Sequence, residues 1–448
     1  MFDMQKKKTW YLLFACIHIY LRGVDVEQCR KLAEEYTNAE DFAQAIDQYQ
    51  QILCECPLDE GAHFYLASIY LKIGNIDAAL SHYRRVLSIN PRNIAALYNI
   101  GYTYKTAGYI DEAISTYKLV LACSDTYDPA HLALGFAYLN KGDFLRGWQQ
   151  HTHYLKSARK NADQLRELLA TKTLAGKRIV CLYEGGIGDT FMCIRYLATL
   201  KELGAYTICF VQAAVVPILS RCPYIDELYP FGSPIPPCDA SSTLLALPAV
   251  FCATDDTIPR TVPYIFPDPA LVRYWQQVVA DTHRLKVGIC WQSDVSNDVS
   301  RLPIARRGMP LATLVALLQS ADVEVYSLQR FDGVEQISEL LSECTLHHYD
   351  NFDIERGSFM DTAALIMHLD VVISVDSAVA HLAGALGKPV MLLLPYAVDW
   401  RWIYGRTSSP WYPTMTIFKQ QQPFNWTPVV QEVYNCLYER YGVRIKVL

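Results

Sequence analysis

Large apolar and small positions recur along the first third of the chain with a period of about 34 residues. Leu32-Ala33, Leu66-Ala67, Ile100-Gly101 and Leu134-Gly135 are copies of one large–small pair. Tyr36, Tyr70, Tyr104 and Tyr138 follow in phase, then Ala45, Ala79, Ala113 and Gly147, then Tyr49, Tyr83 and Tyr117. Small residues at fixed places let two antiparallel helices approach closely, with tyrosines filling the space beside them. The pattern predicts stacked helical hairpins, with Pro57 and Pro91 closing the first two units. The fourth unit drifts: His151 takes the aromatic place, and Asp125 stands where the third unit would have proline. Terminal units of a stack are commonly atypical. His151 and His153 have the spacing of metal ligands, but nothing nearby completes a site, so they read as surface or packing residues.

The pattern then changes. From 156 to 172 it is polar and helical, a bridge. Lys177–Tyr183 is a buried-strand run, Glu184 to Thr190 a glycine-rich turn, and Phe191–Leu203 an apolar-periodic helix. Strand Thr207–Val211, helix Ala214–Arg221 and strand Glu227–Pro230 follow, then a Pro-rich stretch (Pro234, Pro236, Pro237) and a Ser/Thr patch. A second alternating unit begins near Leu285, with strands Lys286–Trp291, Glu324–Leu328, Val371–Val375 and Val390–Leu394. Its helices are Leu311–Leu318, Val334–Leu341 and Asp361–Leu369. Alternation of this kind predicts parallel sheets with helices on their faces, hence two α/β lobes and a cleft at the carboxyl ends of their strands.

The predicted organisation is an apolar segment over 1–24, repeats over 25–158, a linker helix over 159–176, and lobes over 177–282 and 283–448. Three lysines (Lys6, Lys7, Lys8) precede the apolar run Thr9–Leu21. That run is shorter than the roughly 20 residues a span needs, and no small-residue cleavage site follows it. It reads as a capping helix on the first repeat, and no later segment resembles a membrane span.

Composition alters this picture little. The chain has 448 residues, 51% of them apolar and 19% charged, as in globular proteins. A net charge of −6 carries no basic bias and gives no support to nucleic-acid binding. The 14 cysteines are scattered, without a Cys-x-x-Cys pair, and Cys54 and Cys56 are too close and isolated to be half of a zinc site. Cys181, Cys209 and Cys290 lie in apolar strand-like runs and read as core residues. Reduced thiols in a cytoplasm fit this usage.

Two places can carry chemistry. In the first, the glycines of Gly185-Gly186-Ile187-Gly188-Asp189 separate a strand from a helix, so backbone N–H groups can approach an anion or a sugar. The turn lacks the acidic partner of a dinucleotide fingerprint and has no Walker lysine. Asp189 is either a cap for the next helix or a cleft carboxylate that takes a proton from a hydroxyl. The second is the strand–turn–helix from Val371 to Gly387. Its helix N-terminus is suited to a diphosphate, with the Ser377 hydroxyl beside it and His381 one turn in. The bland alternative makes Asp376 a cap and His381 a packed histidine. Asp255-Asp256, beside Thr257 and Pro259, makes a poor metal motif, and Arg307 is either a site cation or a solvated charge.

The repeat phase matches the tetratricopeptide (TPR) family. From about Leu174 to the C-terminus the chain resembles the heptosyltransferase family (glycosyltransferase family 9), more closely its subgroup fused behind TPR repeats. The resemblance rests on Gly186-Ile187-Gly188-Asp189-Thr190 with Arg195-Tyr196, on Asp376 to Val390, and on three tail segments. Those are Leu394-Pro395-Tyr396, Asp399-Trp400-Arg401-Trp402, and Ser409-Pro410-Trp411-Tyr412-Pro413. It implies a GT-B fold with two Rossmann-like lobes, and inverting, metal-free transfer from a nucleotide sugar with no further cofactor. Asp189 is then the catalytic base. Asp376, Ser377, Ala378 and His381, with Arg307, hold the donor, and Gly186, Gly188 and Thr190 shape the acceptor-side turn. The segment Gln292-Ser293-Asp294-Val295 departs from the family's Gly-Asn-Pro-like loop, and Asn297–Arg307 matches it only in part.

Two functions follow. One is a glycosyltransferase acting on a protein or glycan acceptor, with TPR repeats recruiting the acceptor or a partner protein. The other is a non-catalytic TPR scaffold with a degenerate transferase lobe. Retention of Asp189 and of Asp376 to His381 favours the first; the altered loop favours the second. The sequence names neither the sugar nor the nucleotide.

Overall fold

The computed structural model describes residues 25–154, 156–171, 173–294, 302–319, 322–340 and 346–443. The apolar segment over 1–24, the side chains of His151 and His153, and Val295 with the loop from Asn297 as far as 301 lie outside the described residues. The chain divides into two compact units, residues 1–107 with 115–126, and residues 108–114 with 127–448.

The repeat helices are α1 (Val26–Asn38), α2 (Phe42–Glu55), α3 (Glu60–Lys72), α4 (Ile76–Ile89), α5 (Ile94–Ala107), α6 (Ile110–Cys123), α7 (Asp128–Lys141) and α8 (Phe144–Tyr154). Their starts are written locally: the side chains of Asp25, Asp41, Asp59 and Asn75 each accept the backbone N–H three residues on. Such caps satisfy donors that the first turn leaves free. In the first unit Ala33, Ala45, Ala67 and Ala79 are fully buried, and Tyr49, Tyr83 and Tyr117 nearly so. A β-carbon added at Gly101 would lie 2.8 Å from the ring of Tyr117, so the small position of the repeat is a contact requirement.

In the second unit, α9 (Lys156–Ala170) leads into a four-stranded parallel sheet of order β3-β2-β1-β4. Its strands are β1 (Arg178–Leu182), β2 (Tyr206–Val211), β3 (Glu227–Pro230) and β4 (Ala240–Thr243). Helices α10 (Ile187–Cys193), α11 (Arg195–Glu202), α12 (Val216–Leu219) and α13 (Leu247–Val250) belong to this lobe, followed by α14 (Pro269–Val278). The second sheet is a six-stranded parallel one of order β10-β9-β8-β5-β6-β7. It comprises β5 (Leu285–Cys290), β6 (Val323–Ser327), β7 (Leu346–His347), β8 (Val371–Val375), β9 (Val390–Leu394) and β10 (Met415–Lys419). Its helices are α15 (Leu311–Gln319), α16 (Gln336–Leu340), α17 (Met360–Ile366), α18 (Ala378–Ala385) and α19 (Thr427–Tyr441). These are the helical repeats and the two parallel α/β lobes that the pattern predicts, arranged as the GT-B fold that the resemblance implies.

One apolar core runs from Leu139, Phe144 and Trp148 of the fourth hairpin through the first sheet to the inner face of the second. A separate core lies on the second sheet's other face, under α15 and α19.

Several elements differ from the pattern. The helix expected over Phe191–Leu203 starts at Ile187 and is divided at Ile194. Arg195 Nε donates to the Met192 carbonyl at 2.8 Å, the oxygen that the next helical turn would have used. The Ser/Thr patch is β4, whose alternately buried residues pair with β1. The helix expected over Val334–Leu341 is described only over Gln336–Leu340, and β10 and α19 lay in a tail read for motifs, not for periodicity. No helix among the described residues is long and apolar enough to cross a membrane.

Candidate functional site

Each lobe places its glycine- or serine-bearing turn where the strand order reverses. The first turn leaves β1, between β2 and β4; the second leaves β8, next to β5. Open α/β sheets hold ligands at such positions. Here the two turns approach each other. A β-carbon on Gly188, in the first turn of α10, would lie 2.7 Å from Cδ2 of His381 in α18, so only glycine lets these helices come so close.

Asp189 is buried at 9% exposure, and its Oδ2 accepts the Gly186 N–H at 2.9 Å. Asp189 is therefore not the N-cap, which is Gly186; it is the third residue of α10 and its carboxylate reaches back to the N–H of the cap residue. Its Oδ1 accepts from Nε of Arg401 at 2.8 Å and also from Nη2. Thr190 is fully buried and donates to Gln212 Oε1 at 2.9 Å, and Gln212 in turn reaches the Gly185 carbonyl. Thr190 thus braces the turn from behind.

Across the cleft, Asp376 is 5% exposed and does not cap α18. Ser377 does, accepting from the Ala380 N–H at 3.4 Å, because its shorter side chain is the one that folds back over the first turn. Ser374 shares a 2.9 Å hydrogen bond with the Ser377 hydroxyl, and Ala378 opens the helix. Asp376 is left to face the cations. Arg307 Nη1 is 3.9 Å from its Oδ2, and His381 Nε2 is 3.8 Å from its Oδ1, ion-pair rather than hydrogen-bond separations. Burial alone would lift this carboxyl; His381, Arg307 and Arg401 together hold it down to about 2. His381 is oriented by Tyr412, its Nδ1 2.8 Å from the phenolic oxygen, and lies against the Trp402 ring.

The structure therefore brings Asp189, Gly186, Gly188, Asp376, Ser377, Ala378, His381 and Arg307 to one cleft. Arg307 is 28% exposed, and among the described residues its buried Nε has no hydrogen-bond partner. It lies against a buried carboxylate instead of being spread into solvent. Asp255 faces other business, its carboxylate shared by Arg260 and Arg406. Among the described residues no group of three or more His, Cys, Asp or Glu side chains could hold a metal ion.

Two residues escaped the sequence reading. Arg401 was legible only as part of a motif, Asp399-Trp400-Arg401-Trp402, with nothing to mark it as the partner of Asp189. Arg195 is wholly buried and joins three segments: it donates to the Pro259 carbonyl at 2.9 Å, to the Trp411 carbonyl and to the Tyr264 hydroxyl, each at 2.5 Å. Tyr264 and Tyr412 sandwich its guanidinium at 4.4 and 4.8 Å. An internal arginine among apolar neighbours in sequence carries no local sign of such work.

A two-lobed parallel-sheet architecture with paired polar turns at the strand ends defines a GT-B type region behind helical repeats. Comparison with known proteins agrees. Residues 67–108 match the TPR repeat model, and residues 354–439 match that of glycosyltransferase family 9 (heptosyltransferase). The chain thus carries one stretch similar to the TPR repeat and another similar to glycosyltransferase family 9. Protein FlbA of Caulobacter vibrioides is 26% identical over 294 residues, which is 59% of this chain and 47% of that protein. The match spans about half the length of that relative. Among solved structures, E. coli ADP-heptose LPS heptosyltransferase II is 15% identical, with a TM-score of 0.38 over 58% of this chain and 99% of that one. A glycosyltransferase family 9 protein of Veillonella parvula is 13% identical, with a TM-score of 0.41 over 61% of this chain and 91% of that one.

Proposed function

We propose that the second unit is an inverting glycosyltransferase that moves a sugar from a nucleoside-diphosphate donor to a hydroxyl of a protein or glycan acceptor. The observation that carries this reading is the cleft in which Asp376, Ser377, His381 and Arg307 face Asp189 and Arg401. In the reaction, Asp189 accepts the proton of the acceptor hydroxyl. The freed oxygen forms the new bond to the anomeric carbon while the bond to the diphosphate breaks, its electron pair leaving with the phosphate. The start of α18 and the guanidinium of Arg307 meet the leaving group's charge, the work a metal ion does elsewhere. Ser377 and Ala378 bind the phosphates, His381 orients donor oxygens, and Gly186 and Gly188 shape the acceptor-side turn. The TPR repeats recruit the acceptor or a partner protein. Unpaired cysteines throughout the described residues support a reducing, cytoplasmic setting.

The test is a thermal-shift screen of the full chain against ADP, UDP, GDP and their sugar conjugates, with and without a chelator. A ligand that binds only the folded state raises the melting temperature. A chelator-insensitive rise with one nucleotide, lost or weakened in His381→Ala, is the expected result. No rise with any nucleotide at millimolar concentration would replace the enzyme with the TPR scaffold. A rise that the chelator removes would restore a metal to the site.

A further inference from the structure

Arg401 is the most heavily engaged charge in the cleft. It lies on the short turn Trp400–Trp402, whose cap is Asp399. Nη1 of Arg401 donates to Asp399 Oδ1 at 2.6 Å, while Nε and Nη2 both go to Asp189. The turn itself is held hard. The guanidinium stacks 4.7 Å from the Trp400 ring, and Trp411 Nε1 donates to the Arg401 carbonyl at 2.8 Å. Trp400 lies parallel to Phe136 at 6.0 Å and edge-on to Trp148 at 5.6 Å, so the fourth helical hairpin anchors it. Burial works against the charge of Arg401, but Asp189, Asp399 and Asp376 keep it firmly protonated.

This arrangement poses a charge problem for the donor site proposed above, on which the following inference rests. A diphosphate entering beside Ser377 approaches the ionised Asp376 at close range. Like charges brought together in a buried site repel strongly. Arg307 is the nearer cation, but it already faces Asp376. The other guanidinium is committed to Asp189 and Asp399. An arginine presents five N–H groups and carboxylates use three here, so a phosphate that takes the paired Nε–Nη2 edge of Arg401 competes directly with Asp189. Asp189 is the partner whose release has a chemical use: its Oδ2 is taken by the Gly186 N–H, so the Oδ1 that Arg401 holds is the oxygen an acceptor hydroxyl would need.

We propose that Arg401 is a positioning residue shared between Asp189 and the donor. In the free protein it clamps Asp189; when the donor binds, its guanidinium turns to the diphosphate and releases the carboxylate to act as base. The anchored Trp400–Trp402 turn keeps the backbone of Arg401 in place, so the exchange is a movement of the side chain alone. Deprotonation of an acceptor is thereby tied to the presence of the donor. Because the two partners compete for one cation, each weakens the other's hold by the same factor.

The exchange makes a prediction of unusual sign. Removing the charge of the catalytic base should tighten binding of the leaving group. With ADP, UDP and GDP as probes, titration calorimetry on the full chain measures the dissociation constant of the nucleotide that binds the wild type. Asp189→Asn keeps the acceptor for the Gly186 N–H and should tighten that constant about 5-fold or more, within the range of ordinary coupling. Arg401→Gln should weaken it about 10-fold or more, Arg401→Lys should recover part of the loss, and in Arg401→Gln the further change Asp189→Asn should have no effect. A purely structural ion pair would give weaker or unaltered binding in Asp189→Asn, and that result overturns the exchange while leaving the donor site standing. Wild type that binds none of the three nucleotides overturns the donor reading and the exchange with it. Should Arg401→Gln not fold, the sign of the change in Asp189→Asn still decides.

Discussion

The first unit and the two α/β lobes are held together across different lengths of chain. In the repeats, caps reach three residues, Ser68 meets Tyr83 at 15 residues, and His63 meets His82 at 19. In the lobes, Trp148 reaches the Ala253 carbonyl across 105 residues, Asp189 meets Arg401 across 212, and Arg195 meets Trp411 across 216. A hairpin stack tolerates local change because each unit contacts only its neighbours. A site assembled from distant segments does not, since any of them can displace its charges. Substitutions in the repeats should therefore act on stability alone, and those in the cleft on chemistry as well.

The largest expected effect sharpens this contrast. Asp189→Asn should reduce the turnover number about 10²- to 10⁴-fold, the usual contribution of a positioned base, with little change in melting temperature. Full turnover in that variant would remove the base assignment.

A matched pair of glycines comes next. Gly101→Ala puts a methyl 2.8 Å from the Tyr117 ring, and Gly188→Ala puts one 2.7 Å from His381. Overpacking of this kind costs about 1–3 kcal/mol. Urea unfolding of both variants should show similar destabilisation, but only Gly188→Ala should also lose nucleotide affinity, because the displaced ring belongs to the site. Equal loss of affinity in both would blur the division between the regions.

The smallest effects are in acid. The Asp376 carboxyl is depressed from 3.8 to about 2, so its contribution is complete above its unfolded value and is lost as pH falls through about 2. That contribution is on the order of 2 kcal/mol. His82 behaves differently. Burial and the neighbouring His63 lower its value from 6.5, so its contribution is complete above 6.5 and declines as pH falls below it. Hydrogen exchange along a pH series should therefore show the second hairpin loosening at milder acidity than the cleft. Asp376→Asn should remove the cleft's share of the acid dependence below 3.8, and His82→Gln the second hairpin's share below 6.5. Simultaneous loosening of both regions would contradict the separate assignment.

Much of the architecture follows from local pattern. The 34-residue phase, the Asp and Asn caps and the buried alanines dictate helical hairpins, because a helix writes its face every few residues. Strands β1, β5, β8 and β9 were legible as apolar runs, and the glycine turn and the serine-capped helix as interruptions of them. β4 was obscured because an edge strand of Ala240, Ser241, Ser242 and Thr243 buries only alternate residues and lacks an apolar run. Cap assignment at α18 was a matter of reach: Asp376 and Ser377 both suit the role by type, and the turn's geometry chose serine.

The sequence by itself determined that this chain would build repeats and two lobes, and that Asp189 and the Asp376-to-His381 segment would lie at strand ends. Only the tertiary structure decided that Arg401 would clamp Asp189, that Gly188 would meet His381, and that the fourth hairpin would carry Trp400. The reason is physical: hydrophobic periodicity is a short-range signal repeated along the chain, whereas an ion pair is a single contact between two residues. Its partner is fixed by sheet topology and core packing, and nothing near either residue in sequence records it.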